Sequence, residues 1–187
     1  MSPNQVVDQA KTKFNEAVDH FKEELKRLRT GRANASMLDD VTVEAYGTPM
    51  PLNQVATVSA PEAQLLQITP FDPNNLQAIS AAIRDNQSLG LNPSDDGRVV
   101  RVTIPALTEE RRREISKQVG GKLEECMVRM RSVRHDALDT FEQAKKDKDI
   151  SEDDEKRYVG QVEEAMTKTK ADAEAAAKAK EQEIMTV

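Results

Sequence analysis

The sequence predicts an α+β fold in which an elongated antiparallel three-helix bundle carries an inserted small β/α/β domain. Seven of the eight prolines lie between positions 49 and 105. Both flanks are therefore free to form long helices, because proline interrupts a helix interior. Apolar residues recur every three or four positions in the flanks, whereas part of the middle segment alternates. With 32% charged and only 3% aromatic residues, the composition is typical of long solvated helices.

The N-terminal flank predicts the first helix. From Val7 to Leu28, apolar residues fall on one side of a helix, and this pattern is typical of a helix that buries one face. Gly31 follows the last apolar position, and glycine commonly terminates helices. We therefore expect this helix to end at Gly31.

The C-terminal flank predicts two further helices. Thr108, followed by Glu109 and Glu110, is a good helix start, and the apolar pattern then runs from Ile115 to Ala144 without a proline. Ser151 and the four acidic residues after it predict the start of the last helix. Its apolar side runs from Tyr158 to Ala176. The alternative, a frayed charged tail, fits this spacing less well.

The middle segment predicts strands. Val41, Val43 and Ala45 alternate with polar residues before Gly47 and Pro49, which indicates a strand entering a hairpin-like corner. Further strands are expected at 55–58, 65–68 and 99–104, and a short helix after residue 74. The predicted domains are a discontinuous bundle of residues 1–30 and 106–187, and an insertion of residues 31–105.

The sequence offers poor material for catalysis. Cys126 is the single cysteine and falls on an apolar helix side, while His20 and His135 lie beside such sides. One thiol and two scattered histidines build neither a disulfide nor the usual zinc site, and no glycine-rich phosphate-binding loop is present. We expect no enzyme, no metal and no cofactor. A carboxylate site in the insertion, using Asp39, Asp40 or Glu44, stays open as a weak alternative.

The location and assembly of the chain are also predicted. The N-terminus has no signal- or transit-peptide character, and no apolar run has the roughly 18 residues of a membrane span. We expect a cytoplasmic monomer without membrane contact, because the three apolar helix sides can cover one another.

The charge distribution points to a local basic surface. Net charge is -6 and the pI is about 5.1, so any contact with phosphate must be local. Residues 106–149 hold 11 basic residues, including six arginines. Arg131 and Arg134 lie about 60° apart on one flank, clear of the apolar side, where guanidinium groups can meet phosphates. Pairing within the helix, such as Arg113 with Glu109 or Arg129 with Glu125, is the open alternative.

Several ordered motifs carry a family resemblance. They are Thr30-Gly31-Arg32-Ala33, Tyr46-Gly47-Thr48-Pro49, Leu89-Gly90-Leu91-Asn92-Pro93, Leu107-Thr108-Glu109-Glu110-Arg111-Arg112 and Ile150-Ser151-Glu152-Asp153-Asp154. In this order and spacing, the chain resembles the ribosome recycling factors of bacteria and organelles. Ala45, Ser132 and His135 depart from the family pattern.

The resemblance implies a function and partners. It implies an L-shaped protein whose outline is similar to transfer RNA and which binds the post-termination ribosome. With elongation factor G and GTP, such proteins split the ribosome so that messenger and deacylated transfer RNA leave, and the partner hydrolyses the GTP. The resemblance also implies that the three-helix bundle, the rod of this L shape, lies against large-subunit ribosomal RNA. The arginines that match the family's binding positions are Arg29, Arg32, Arg131 and Arg134. We add Arg111, Arg112 and Arg129 of the second helix as further candidates.

The two crossings between bundle and insertion form a predicted hinge. Its residues are Thr30, Gly31 and Arg32 on the way in, and Pro105, Ala106 and Leu107 on the way out. The alternative function is a coiled-coil protein-interaction module, a holdase or scaffold, in which the arginines are merely solvated.

Overall fold

The chain folds into two compact units. The computed structural model describes residues 1–186. One unit combines Met1–Leu28 with Glu109–Thr186, and the other spans Arg29–Thr108. The first is helical and the second mixed, so the predicted α+β class is confirmed. Across residues 1–186, no helix has the length and apolar character needed to cross a membrane.

Five helices and six strands make up these units. In chain order they are α1 (Pro3–Lys26), β1 (Thr42–Ala45), β2 (Thr48–Pro51), α2 (Leu52–Val55), β3 (Ala56–Glu62), β4 (Leu65–Pro70), α3 (Leu76–Asp85), β5 (Pro93–Asp95), β6 (Val100–Thr103), α4 (Glu109–Lys146) and α5 (Glu152–Met185). Single 3₁₀ turns occupy Ala35–Leu38 and Pro73–Asn75.

Helix α1 starts as expected for its sequence but ends early. A capping box joins Ser2 and Gln5, and both reciprocal hydrogen bonds are present. The predicted end at Gly31 is wrong, because the helix stops at Lys26. The N–H of Leu28 donates to the carbonyl of Leu25 in a tighter turn, 3.2 Å. The residues from Arg29 onward belong to the other unit, so tertiary structure overrides the apolar spacing.

Helices α1, α4 and α5 pack on one another, as predicted. At 1.5 Å per residue, the 38 residues of α4 span about 57 Å. A capping box of Ser151 and Asp154 begins α5. The ring of Phe141 stacks on that of Tyr158, with 5.6 Å between centroids. Ile184 is fully buried, so α5 is packed almost to its end and the frayed-tail alternative is wrong.

The second unit contains two antiparallel sheets. Strands β1 and β2 form a hairpin, and a four-stranded sheet has the order β3-β4-β6-β5. Val43 and Ala45 of β1 are buried while Thr42 and Glu44 are exposed, as the alternation predicts. The core is aliphatic and is shared by the sheets and α3, with Leu66, Ile68, Ile79, Ile83, Val100 and Val102 at its centre.

Two details of this unit differ from the prediction. Val55 ends the short helix α2 rather than starting a strand, because the N–H of Ala56 donates to the carbonyl of Leu52. Strand β5, which begins with Pro93, is not among the predicted strands. This strand lies at the edge of the sheet, where it pairs with β6 alone, and proline is tolerated as the first residue of an edge strand.

Both chain crossings are attached to the same turn of the second unit. The N–H of Ala33 donates to the carbonyl of Ala63, 2.7 Å, and the N–H of Ile104 donates to the carbonyl of Gln64, 2.8 Å. Residues 63 and 64 join β3 to β4. The incoming and outgoing segments therefore lie side by side on this unit.

Two consecutive glycines, Gly120 and Gly121, lie within α4, which is helical through both. A Cβ atom built on Gly120 or Gly121 would meet no atom within 4 Å. Neither glycine is therefore required by close packing within residues 1–186. Each costs helix stability, because glycine gains more backbone freedom than alanine on unfolding.

Replacing Gly121 by alanine should stabilise the bundle. We expect Gly121→Ala to raise the free energy of unfolding by about 1 kcal/mol, measured by urea denaturation with circular dichroism at 222 nm. Gly97→Ala is the matched control and should destabilise, because Gly97 has φ +85°. A Gly121→Ala protein less stable than the parent would contradict the open space at this position.

Candidate nucleic-acid interface

The arginines of α4 do not share one surface. At 100° per residue, Arg131 and Arg134 lie about 60° apart, whereas Arg129 lies about 160° from Arg131. Lys122, seven residues before Arg129, binds Glu24 of α1 at 3.2 Å. Arg134 binds Glu163 of α5. Arg129 therefore lies toward the α1 side, and Arg131 and Arg134 lie toward the α5 side.

Arg134 is held across two helices. Its Nε donates to Glu163 Oε1 at 2.6 Å, and an Nη2 contact of 2.5 Å to the same oxygen completes the pair. This hydrogen bond from the guanidinium raises the pKa of Arg134 above its usual range. Both side chains are about 40% exposed. Arg134 therefore lies on the flank of α4 next to α5, where that helix supplies a partner that no spacing within α4 could reveal.

Arg131 is more exposed and is paired within its own helix. It forms an ion pair with Glu124, seven residues earlier, and 56% of its side chain is exposed. It lines a groove between α4 and α5 together with Met127, Lys170 and Glu174. Lys170 makes no ion pair with any residue from 1 to 186. This lysine, contributed by α5, was missed by the sequence analysis because it is distant in sequence from the arginines.

Arg113 lies on the same side of α4 as Arg131, the side toward α5. Eighteen residues, or five full turns, separate it from Arg131, so the two lie on one line about 27 Å apart along α4. Arg113 binds Glu109 at 2.5 Å, as the intrahelical alternative predicts. The other pair suggested by that alternative is absent: within the described chain, Arg129 forms no ion pair with Glu125 or any other acid.

Arg111 and Arg112 occupy different environments at the start of α4. Arg111 lies on the Arg129 side and binds Glu114 at 2.7 Å. Arg112 is half-buried, and its Nε atom is buried without a hydrogen-bond partner among residues 1–186. It is thus poorly placed to present its whole guanidinium group to a phosphate.

Arg29 and Arg32 belong to the second unit. The Nη2 of Arg29 donates to the carbonyls of Ser88 and Leu89, at 3.2 and 2.9 Å. It thereby fastens the incoming segment to the loop after α3. Arg32 is exposed and has no ion-pair or hydrogen-bond partner in the part of the chain that is described.

The predicted hinge residues are held to different degrees. Thr30 is 6% exposed, and Gly31, with φ +79°, is buried. Pro105 and Ala106 are exposed, and residues 105–108 belong to no helix or strand. On the incoming side, the segment from Arg29 to Ala33 is fastened at both ends to the second unit. Arg27 and Leu28 remain bonded to the carbonyls of Glu24 and Leu25 at the end of α1, so the incoming chain leaves one unit and enters the other between Leu28 and Arg29.

The remaining candidates for chemistry are structural or solvated. Cys126 is 3% exposed, its thiol donates to the carbonyl of Ala17 at 3.5 Å, and burial raises the pKa of that thiol. His20 lies 3.1 Å from Glu24, and His135 lies 3.3 Å from Asp139 on the surface. No cluster of three metal-ligating side chains occurs within residues 1–186.

Comparisons with known proteins decide the family. A sequence model described as "Ribosome recycling factor" matches residues 21–185. The chain belongs to the ribosome recycling factor family. It is 49% identical over 170 residues to a ribosome-recycling factor of Erythrobacter litoralis, and the match covers 91% of each chain. It is 45% identical to a factor of Halalkalibacterium halodurans, covering 98% of each.

Solved structures give the same result. The solution structure of a ribosome recycling factor is 37% identical, with a TM-score of 0.81, over 100% of this chain and 99% of the other. A second structure describes the T. thermophilus ribosome recycling factor and E. coli elongation factor G bound to the E. coli post-termination complex. Its matched chain is 38% identical, with a TM-score of 0.66 over 98% of this chain and 99% of the other. The function of the chain is that of a ribosome recycling factor, and the family is one of translation factors.

Proposed function

We propose that this chain binds the post-termination ribosome and, with elongation factor G and GTP, splits it into subunits in the cytoplasm. Messenger and deacylated transfer RNA can then leave. Family membership supports this, as does the relative described together with elongation factor G on a post-termination complex. In this proposal the chain performs no covalent chemistry, and GTP hydrolysis belongs to the partner.

The contact with large-subunit ribosomal RNA is assigned to the α5 side of α4. The observation that carries this assignment is that Arg131 and Arg134 share that flank and are each held by a glutamate. A phosphate can replace a glutamate because both offer anionic oxygens to a planar guanidinium group. The pairs hold the two guanidinium groups in place before binding. Lys170 and Arg113 extend the same side, whereas Arg129 and Arg111 face away from it.

The hinge is proposed to lie at the two crossings, with a revised incoming pivot. Arg29 and Ala33 fasten the incoming segment to the second unit, and Leu28 is bonded to the end of α1, so we place the flexible point at the junction of Leu28 and Arg29 rather than at Thr30–Arg32. The outgoing pivot remains Pro105–Leu107. In this proposal, elongation factor G pushes on the inserted unit while the arginines hold the bundle on RNA.

Light scattering tests the proposed function directly. Purified post-termination ribosomes are mixed with this protein, elongation factor G and GTP, and each component is omitted in turn. Scattering should fall only in the complete mixture, because splitting halves the particle and requires both factors. Constant scattering, with a partner factor shown to split ribosomes with another recycling factor, would contradict the proposal.

Removing arginines on the proposed side should weaken ribosome binding. We expect Arg131→Ala and Arg134→Ala each to raise the Kd about tenfold, since a charge-assisted hydrogen bond contributes roughly 1.5 to 3 kcal/mol. The slope of log K against log salt should also fall by roughly one per lost phosphate contact. Binding is measured by pelleting with ribosomes from 50 to 300 mM potassium chloride.

Arg129→Ala is the matched control for this side. It removes the same group from the same helix, two residues away, but on the opposite flank. We expect its Kd and salt slope to be unchanged. If Arg129→Ala weakened binding while Arg134→Ala did not, the assignment to the α5 side would be wrong.

Stiffening the outgoing crossing should separate binding from splitting. The N–H of Ala106 donates no hydrogen bond to a group within residues 1–186, so Ala106→Pro removes none while it restricts Pro105. We expect unchanged ribosome affinity but a splitting rate at least fivefold lower by stopped-flow scattering. Ala106→Ser serves as the flexible control, and full splitting activity in Ala106→Pro would refute the hinge.

A further inference from the structure

The second unit, which is the inserted unit of residues 29–108, has two aromatic side chains, and both are exposed. The chain has four phenylalanines and two tyrosines. In the bundle, Phe14, Phe21, Phe141 and Tyr158 are buried, whereas in the inserted unit Tyr46 is 71% and Phe71 is 66% exposed. The core of that unit is complete without an aromatic residue. Burial of apolar surface therefore does not explain why these two positions are aromatic.

The backbone at Tyr46 is one that tyrosine rarely adopts. Tyr46 has φ +54° and Gly47 has φ +76°, and they form the two-residue loop between the paired residues Ala45 and Thr48. Two positive φ values in such a loop define a type I′ turn, in which asparagine or aspartate is favoured at the first position. A tyrosine is thus present at a site where local folding favours a smaller polar residue.

One carboxylate connects the two aromatic residues. The hydroxyl of Tyr46 donates to Asp72 Oδ2 at 2.9 Å, and Asp72 directly follows Phe71. The other oxygen, Oδ1, accepts the N–H of Asn74 at 2.9 Å. The N–H of Phe71 donates to the carbonyl of Val55 at 3.0 Å. The hydroxyl of Tyr46 and the backbone of Phe71 are therefore attached to fixed points of the fold, while the Phe71 ring itself is exposed.

The Asp72 carboxylate is charged and lacks a cation. The backbone hydrogen bond from Asn74, and then the one from the Tyr46 hydroxyl, lower the pKa of Asp72. No lysine, arginine or histidine among residues 1–186 lies in ion-pair distance of it. Glu44, also exposed, lies two residues before Tyr46 on β1. The unit as a whole is acidic, because residues 31–105 contain eight acidic and only four basic residues.

We propose that Tyr46, Phe71 and Asp72 form a docking surface for a protein segment that presents an arginine or lysine beside an apolar side chain. Aromatic faces attract cations, and the carboxylate can accept their N–H groups. Phosphate is repelled by the same carboxylate, so charge favours a basic protein segment over RNA. The surface rests on the proposed function, because the segment would belong to a protein of the splitting complex.

Site-specific crosslinking tests the class of partner. Benzoylphenylalanine replaces Phe71 in the full chain, which is irradiated with purified post-termination ribosomes, elongation factor G and GTP. We expect crosslinks to a protein peptide containing arginine or lysine. Crosslinks to ribosomal RNA, or none at all, would overturn the proposal. The same probe at Val128 of α4, which is 52% exposed, controls for crosslinking that any exposed position would give.

Two substitutions test whether the surface acts in splitting. Asparagine suits the φ of Tyr46, so Tyr46→Asn should keep or raise the melting temperature, while Tyr46→Asn with Phe71→Ser should lower the splitting rate at least fivefold. Ribosome affinity at 100 mM salt should change less than twofold in the absence of elongation factor G. Full splitting by the double variant would overturn the proposal.

A third variant isolates the charge. Asp72→Asn retains an oxygen for the N–H of Asn74 and should lower crosslinking at position 71 at least threefold; unchanged crosslinking would overturn the role of the carboxylate. The unsubstituted chain is assayed in parallel. If the unsubstituted chain splits ribosomes and the variants do so equally well, the docking surface is wrong but the proposed function stands. If the unsubstituted chain does not split ribosomes, the proposed function is wrong.

Discussion

The structure depends on the mutual burial of three narrow apolar helix sides. Helices α1, α4 and α5 are each polar over most of their circumference, so none would be stable alone. Their contact buries four of the six aromatic residues, and Cys126 fills a place between α4 and α1. Because only one side of each helix is used, the other sides are free to carry charge. A long, highly charged chain can therefore keep a well-packed interior.

The same packing determines which arginines can act together. Once α4 is fixed against both partners, its sides are divided between α1 and α5. Arg131 and Arg134 lie toward α5, and Glu163 of that helix holds Arg134. Arg129 lies on the other side, although only two residues separate it from Arg131. The glutamates paired with Arg131 and Arg134 hold their guanidinium groups in place, which limits the entropy that these side chains would lose on binding a phosphate.

The inserted unit obeys a different constraint. Its aliphatic core is built from two antiparallel sheets and one helix, and the turn between β3 and β4 holds both chain crossings through Ala63 and Gln64. Since the core needs no aromatic residue, the exposed rings of Tyr46 and Phe71 are available for recognition. The two units therefore carry surfaces of different chemistry, one with arginines and one with the exposed residues Tyr46, Phe71 and Asp72.

The sequence alone determined the class of fold, the three bundle helices and the positions of the main strands in the chain. Apolar periodicity, proline positions and the start of α5 at Ser151 are local signals, and each reports directly on the local backbone. Only the tertiary structure decided that α1 ends at Lys26, that Pro93 begins an edge strand and that Arg134 is paired with Glu163. Each of these outcomes depends on a residue distant in sequence: a carbonyl in another loop, a neighbouring strand or a carboxylate on another helix. Periodicity shows which side of a helix is buried, but not which charged group of a neighbouring element it meets.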